Sequence, residues 1–239
     1  MAIFGSRKDT LLYGSKGKIP GEKTNRKISK EESVANMAFY VPESYADGSP
    51  YPELKVQGAN REYARMMLFN MSGRESEMTA ANSYFYASLV LVSSEPQAAA
   101  CLGKIGEVEM RHVYMLGRLA CLLGADPRLW WKNGQKMHYW NPGNVVYTRD
   151  PQAAIRWAIS REKDTIVQYR KQITYIQDPY ICAVLERILL DESHHVLILE
   201  KMGRSLREGE AFQEKRPSGV PSSPNGRYTG NPQRPPWGK

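Results

Sequence analysis

In Glu109-Met-Arg-His112 and Glu192-Ser-His-His195, two of the chain's four histidines, His112 and His195, each stand three residues after a glutamate. On an α-helix, residues i and i+3 share a face, so each stretch aims a carboxylate and an imidazole at one spot. Around the second stretch Ile181, Val184, Leu185, Ile188 and Leu189 recur at spacings of three and four, the signature of a helix with a buried stripe. A bundle that brings the two spots together, with one more glutamate from each of two other helices, holds a two-metal carboxylate site.

The chain supplies the helices for such a bundle. The first is predicted over about 59–92, loosened around Ser72-Gly73. The second runs over about 95–123, with Pro96 in its first turn and Gly124 at its end. The third runs over about 150–176, capped by Asp150 with Pro151 at the first helical position. Asp178-Pro179 breaks the chain before the fourth, about 179–206. Short links make the first two and the last two helices antiparallel hairpins. The link of about 124–149 is long enough to run the length of a helix, so the third helix starts at the opposite end of the bundle. Its aromatic residues, Trp130, Trp131, Tyr139, Trp140 and Tyr147, predict that it packs on the body. His138 within it reads as a packing residue rather than a ligand.

The remaining carboxylates follow from the two hairpins. Glu162 precedes Glu192 by 30 residues, and Glu77 precedes Glu109 by 32. Tyr84 and Tyr169 each follow their glutamate by seven residues, two helical turns, and so share its face. Glu75 and Glu107 each stand two residues from the chosen glutamate, roughly 200° around the helix, and so point elsewhere. Glu62 also lies near, but Ala80, Ala81, Tyr84 and Phe85 continue the face of Glu77. The expected metal set is Glu77, Glu109, His112, Glu162, Glu192 and His195. Tyr84, Tyr169 and Glu192 are the candidates for a direct part in catalysis. Four carboxylates offset the charge of two divalent ions, and imidazole suits both iron and manganese. Without metal the buried carboxylates repel, so metal is expected to stabilise the fold.

At these residues the chain resembles known proteins. Ser76-Glu77-Met-Thr-Ala-Ala-Asn-Ser-Tyr84-Phe looks like the first ligand helix of bacterioferritins. Glu109-Met-Arg-His112, with Leu-Gly-Arg-Leu after it and Leu-Gly-Ala-Asp-Pro at the helix end, is similar to their second. Glu162-Lys-Asp, Tyr169-Arg and Leu185-Glu-Arg-Ile-Leu-Leu-Asp-Glu192-Ser-His-His195 resemble the second half of bacterioferritins and rubrerythrins. The resemblance covers about 60–206. It implies an all-α, ferritin-like antiparallel four-helix bundle with one long crossover, and a centre of two Mn or two Fe ions. It leaves open which carboxylates bridge. In manganese catalases, which share the scheme, the glutamate of the last pair serves as a base beside the metals, so Glu192 has either role.

The chain also departs from these relatives. No cysteine pair is spaced for a rubredoxin-like iron site. An acid often precedes the glutamate of each pair and supports the opposite histidine; Asp191 fits this and would orient a histidine, whereas the other position is Val108. The long arms are foreign to bacterioferritins but occur in manganese-catalase-like proteins, some of them in spore coats.

Composition divides the 239 residues into an N-terminal arm (1–56), the bundle (57–210) and a C-terminal arm (211–239). The net charge of +8 belongs to the ends: residues 1–36 hold eight Lys/Arg against four Asp/Glu, and residues 211–239 hold five against one. Residues 37–210 between them sum to zero, so nucleic acid is not the expected partner and the arms read as contacts to a protein partner or a lattice. There is no membrane-spanning run, and the three cysteines, in apolar helical segments, fit a reducing, cytoplasmic setting or a spore- or shell-associated one. The expected function is a dinuclear oxidoreductase acting on hydrogen peroxide or dioxygen, catalase- or peroxidase-like, in a homo-oligomer. Ferroxidase or iron handling, and a structural coat protein with a metal-binding bundle, are the alternatives.

Overall fold

The structure is a computed structural model that describes residues 45–214. The greater part of both arms lies outside the described residues. The helices are α1 (Arg61–Ser72), α2 (Glu77–Leu91), α3 (Pro96–Leu122), α4 (Pro151–Tyr175) and α5 (Pro179–Glu214). Between α3 and α4 stand strands β1 (Trp130–Asn133) and β2 (Lys136–Tyr139), paired as an antiparallel hairpin, and a short 3₁₀ turn. No helix among the described residues is long and apolar enough to cross a membrane.

Local chemistry sets the helix boundaries. Asn60 caps α1, accepting from the N–H groups of Glu62 and Tyr63 at 2.9 and 3.0 Å. Asp150 caps α4 by accepting from Gln152 N–H at 2.9 Å. Gly124, at φ +90°, closes α3. Its N–H bonds Cys121 O at 3.0 Å and the N–H of Ala125 bonds Ala120 O at 2.9 Å, which satisfies two of the last helical carbonyls.

The first predicted helix is in fact two. Gly73 ends α1, donating to Phe69 O at 2.8 Å. A Cβ at Gly73 would sit 2.6 Å from that same carbonyl, so this exit requires glycine. Ser76 then caps α2, its Oγ accepting from Thr79 N–H at 3.4 Å. The break puts Glu77 in the first turn of a fresh helix. The β-hairpin is absent from the sequence reading; its strands are only four residues each, too short for alternation to register. The link does pack on the body: Trp140 Nε1–H donates to Thr79 Oγ1 at 2.9 Å, and Val146 N–H to Ser83 Oγ at 3.1 Å.

Two cross-helix hydrogen bonds fix the topology. Tyr84 O–H donates to Glu162, and Tyr169 O–H donates to Glu77. The later residue of each helix therefore meets the earlier residue of the other, so α2 and α4 are antiparallel. The tight turn makes α2 antiparallel to α3, so α3 and α4 run the same way, and the long link must travel the length of the bundle. α2 packs chiefly along α3, and α4 along α5.

The core has two apolar halves. One gathers Met67, Leu116, Leu119, Ile181, Leu185 and Ile188; the other Leu91, Leu102, Ile105, Ile155 and Leu199. Along α3, α4 and α5 the polar candidates lie between these halves, so the site is the waist of the bundle.

Two glycines of α3 and its end give opposite expectations. Gly124→Ala should cost about 1–2 kcal/mol, because an L-residue is strained in the left-handed region. Gly103→Ala should gain about 0.5–1 kcal/mol from helix propensity, since its Cβ would meet Ser88 alone, at an ordinary 3.4 Å from Cβ and 3.7 Å from Oγ. Denaturant midpoints of the two variants, at unchanged slope, check both signs.

Candidate metal centre

Glu77 on α2, Glu109 and His112 on α3, Glu162 on α4, and Glu192 and His195 on α5 all reach the waist, and none is more than 1% exposed. They fall into two overlapping groups. Ligand atoms of Glu77, Glu109, His112 and Glu192 lie within 4.8 Å of one another, as do those of Glu109, Glu162, Glu192 and His195. Glu109 and Glu192 belong to both groups and are the candidate bridges, a choice the spacing left open.

Both imidazoles present Nδ1 to the shared carboxylates. His112 Nδ1 lies 3.3 Å from Glu109 Oε2 and 3.2 Å from Glu192 Oε1. His195 Nδ1 lies 3.0 Å from Glu109 Oε1 and 3.4 Å from Glu192 Oε2. The antiparallel crossing of α3 and α5 makes this pairing reciprocal, with 109 facing 195 and 112 facing 192. Tyr169 and Tyr84 each donate to one oxygen of Glu77 and Glu162 respectively. This orients the two unshared carboxylates.

The charges are unbalanced in an informative way. Burial, then the nearby Glu192 and Glu109, push the Glu77 and Glu162 carboxyls well above the ordinary range. Burial also opposes charge on Glu109 and Glu192, but the imidazoles bring Glu109 below it, and a hydrogen bond with Glu162 followed by the imidazoles does the same for Glu192. Burial opposes charge on the imidazoles in turn, yet the carboxylates raise His112 well above its usual value and His195 to about 9. The cluster thus sets the raised carboxyls of Glu77 and Glu162 beside the lowered ones of Glu109 and Glu192, which face the two imidazoles. Even so, Glu109 Oε1, both oxygens of Glu192 and His195 Nδ1 are buried and make no well-directed hydrogen bond among the described residues, although imidazole and carboxylate stand 3.0, 3.2 and 3.4 Å apart. Divalent cations between the two groups would engage these atoms, so the donor set fits a pair of them.

Behind His112 stands a second layer. Its Nε2 lies 3.0 Å from Asp191 Oδ2. Asp191 also accepts from Tyr51 O–H and from Asp47 N–H, each at 2.7 Å, and pairs with Arg187 Nη1 at 2.7 Å. Burial opposes the Asp191 charge, but His112, Arg187 and Tyr51 hold its carboxyl well below the usual range. The Tyr51 ring lies between the guanidinium groups of Arg111 and Arg187, at 3.7 and 3.9 Å, and burial pushes its phenol up to about 12. Arg187 in turn donates to the carbonyls of Ser49 and Asp47 at 2.9 and 2.7 Å. A further guanidinium, Arg161, is buried beside the cluster; burial opposes its charge, but Glu77 sustains it. His195 has no such support: its buried Nε2 has no partner among the described residues.

Of the alternatives considered from sequence, Glu75, Glu107 and Glu62 are exposed and His138 stacks on Trp131 with ring centroids 4.5 Å apart. Phe85, assigned to the face of Glu77, is instead 61% exposed, because at i+8 the helix has turned roughly 80° past that face. Tyr51, Asp47, Arg187 and Arg161 carried no sequence signal that distinguishes them.

No protein-family model matches the sequence, and no curated protein sequence is significantly similar to it. Among solved structures, Mycobacterium tuberculosis bacterioferritin BfrA aligns at 24% identity with a TM-score of 0.43, over 64% of this chain and 90% of its own. KatB, a manganese catalase from Anabaena, aligns at 20% identity in two structures, with TM-scores of 0.59 and 0.57. Each alignment covers 80% of this chain and 93% of KatB. The chain therefore has the ferritin-like fold, shared with KatB over most of both lengths.

Proposed function

We propose that the waist of the bundle holds two Mn or two Fe ions and that the protein is a dinuclear oxidoreductase acting on hydrogen peroxide or dioxygen, catalase- or peroxidase-like. The observation that carries this reading is the pair of four-residue groups sharing Glu109 and Glu192, with unsatisfied ligand atoms pointing inward. Glu77 and His112 complete one group, Glu162 and His195 the other. Bound there, the metals would supply electrons to and from the substrate and polarise its oxygens.

The chain's own residues do the rest. The six ligands are sealed by the two apolar halves of the core, which restricts entry to very small molecules and keeps bulk water from the reactive centre. Peroxide disproportionation moves two protons from one peroxide to another while two electrons pass the same way. Glu192 is the proposed base that takes and returns a proton, a role it fills in place of bridging, with Glu109 then the shared ligand. Tyr84 and Tyr169 hold Glu162 and Glu77 in place and offer hydroxyl protons at the same oxygens.

Protein loaded with Mn(II) or Fe(II) should release dioxygen from peroxide. His112→Ala should lower the rate more than about a hundredfold, beyond what loss of an outer hydrogen-bond partner costs. Oxygen-dependent Fe(II) oxidation with no dioxygen release from peroxide would replace this reading with a ferroxidase.

Metal uptake should also release protons. The raised groups are the two imidazoles and the Glu77 and Glu162 carboxyls, whose bound protons the ions would displace. Because these pKa values are raised, the protonated forms compete, and affinity should fall as pH drops below about 9, the value for His195. Indicator-dye titration in weak buffer measures the proton count; release of none would contradict the charge pattern.

A further inference from the structure

We propose that the two halves of the centre hold metal unequally, the His112 half tightly and the His195 half as an exchangeable position. The inference rests on the two-metal reading above and concerns what lies behind each imidazole.

The inner donors are matched. Each half has three carboxylates and one imidazole, and in each the unshared carboxylate accepts from a tyrosine. Matched donors give no reason for unequal affinity, so any difference must come from the next layer out.

That layer is one-sided. The Nε2–H of His112 is engaged by Asp191 at 3.0 Å, which leaves Nδ1 as the free donor toward the shared carboxylates. Asp191 cannot swing away, because Arg187, Asp47 N–H and Tyr51 O–H each hold it at 2.7 Å. The segment carrying Asp47 and Tyr51 is itself tied down by the two carbonyl bonds from Arg187. An imidazole backed by a carboxylate is fixed in tautomer and orientation and is a more basic ligand.

The His195 ring is fully buried and has neither advantage. Its Nε2 has no partner among the described residues, so only the metal side sets its tautomer and tilt. The residue that stands before Glu109 as Asp191 stands before Glu192 is Val108, apolar and fully buried. Arg161 does not reverse the difference. Its charge acts most on Glu77 but also on Glu162, so it bears on both halves.

Loss of an outer hydrogen-bond partner of a metal-bound histidine costs about 10–100-fold in affinity. The His195 half should therefore release its ion at least about tenfold faster. The test uses the full chain loaded with Mn(II) and challenged with an excess of a chromogenic chelator. Release should come in two phases of equal amplitude, one ion each. Between the phases the protein should show the electron paramagnetic resonance signal of an isolated Mn(II) ion rather than a coupled pair.

Variants assign the phases. Asp191→Asn and Tyr51→Phe should speed the slow phase and leave the fast one alone. Val108→Asp should slow the fast phase toward the other. Should that variant fail to fold, Asp191→Asn and Tyr51→Phe still decide which half is which. Two ions leaving in a single phase, or Asp191→Asn acting on the fast phase, would overturn the inequality and leave the two-metal reading standing. A loading experiment in which the chain binds no Mn(II) would overturn both.

Discussion

Four carboxylates and two imidazoles packed into the buried waist of a helical bundle are the constraint on which the rest of the structure depends. Charges of this kind do not enter an apolar core unless something compensates them. Raised carboxyls on Glu77 and Glu162 and the imidazoles beside Glu109 and Glu192 go part of the way, but four ligand atoms still make no well-directed hydrogen bond among the described residues. A pair of divalent cations would satisfy the same atoms. The apolar halves above and below the waist, the tyrosines that cross between α2 and α4, and the long link that sets α4 parallel to α3 all keep six side chains converged on one small volume.

The support around that volume is not symmetric, although the helices are nearly so. Asp191 is clamped by a guanidinium, a backbone amide and a phenol, and two of the three come from residues 47–51, which precede the bundle. A segment that reads as a lead-in thus supports one face of the centre. Nothing comparable backs His195 among the described residues. Pseudo-repeated hairpins with matched ligands can in this way carry two positions of different character.

Much of this was legible because it rests on short-range regularities. Glu-x-x-His reads as one helical face, Pro96 and Asp150 mark helix starts, Gly124 marks an end, and the length of the 124–149 link implies a crossover. Glu77 and Glu162 were reachable because they repeat at nearly the same offset from the two pairs. What escaped was what arises only in three dimensions. The cut between α1 and α2 depends on the close approach of Gly73 to Phe69 O as much as on composition. Phe85 was misplaced because eight residues accumulate too large a rotation for a single face. Tyr51 and Asp47 meet Asp191 across about 140 residues, and no spacing rule reaches that far. The distinction between shared and unshared carboxylates likewise comes from how α3 and α5 cross.

The central claim is that two metal ions sit between the two groups that share Glu109 and Glu192. Anomalous diffraction at the manganese and iron absorption edges, from crystals of protein purified without chelator, tests it most directly. Two peaks are predicted, one bounded by Glu77, Glu109, His112 and Glu192 and the other by Glu109, Glu162, Glu192 and His195. A waist without anomalous density at either edge, in a protein with its six candidate ligands intact, would contradict it.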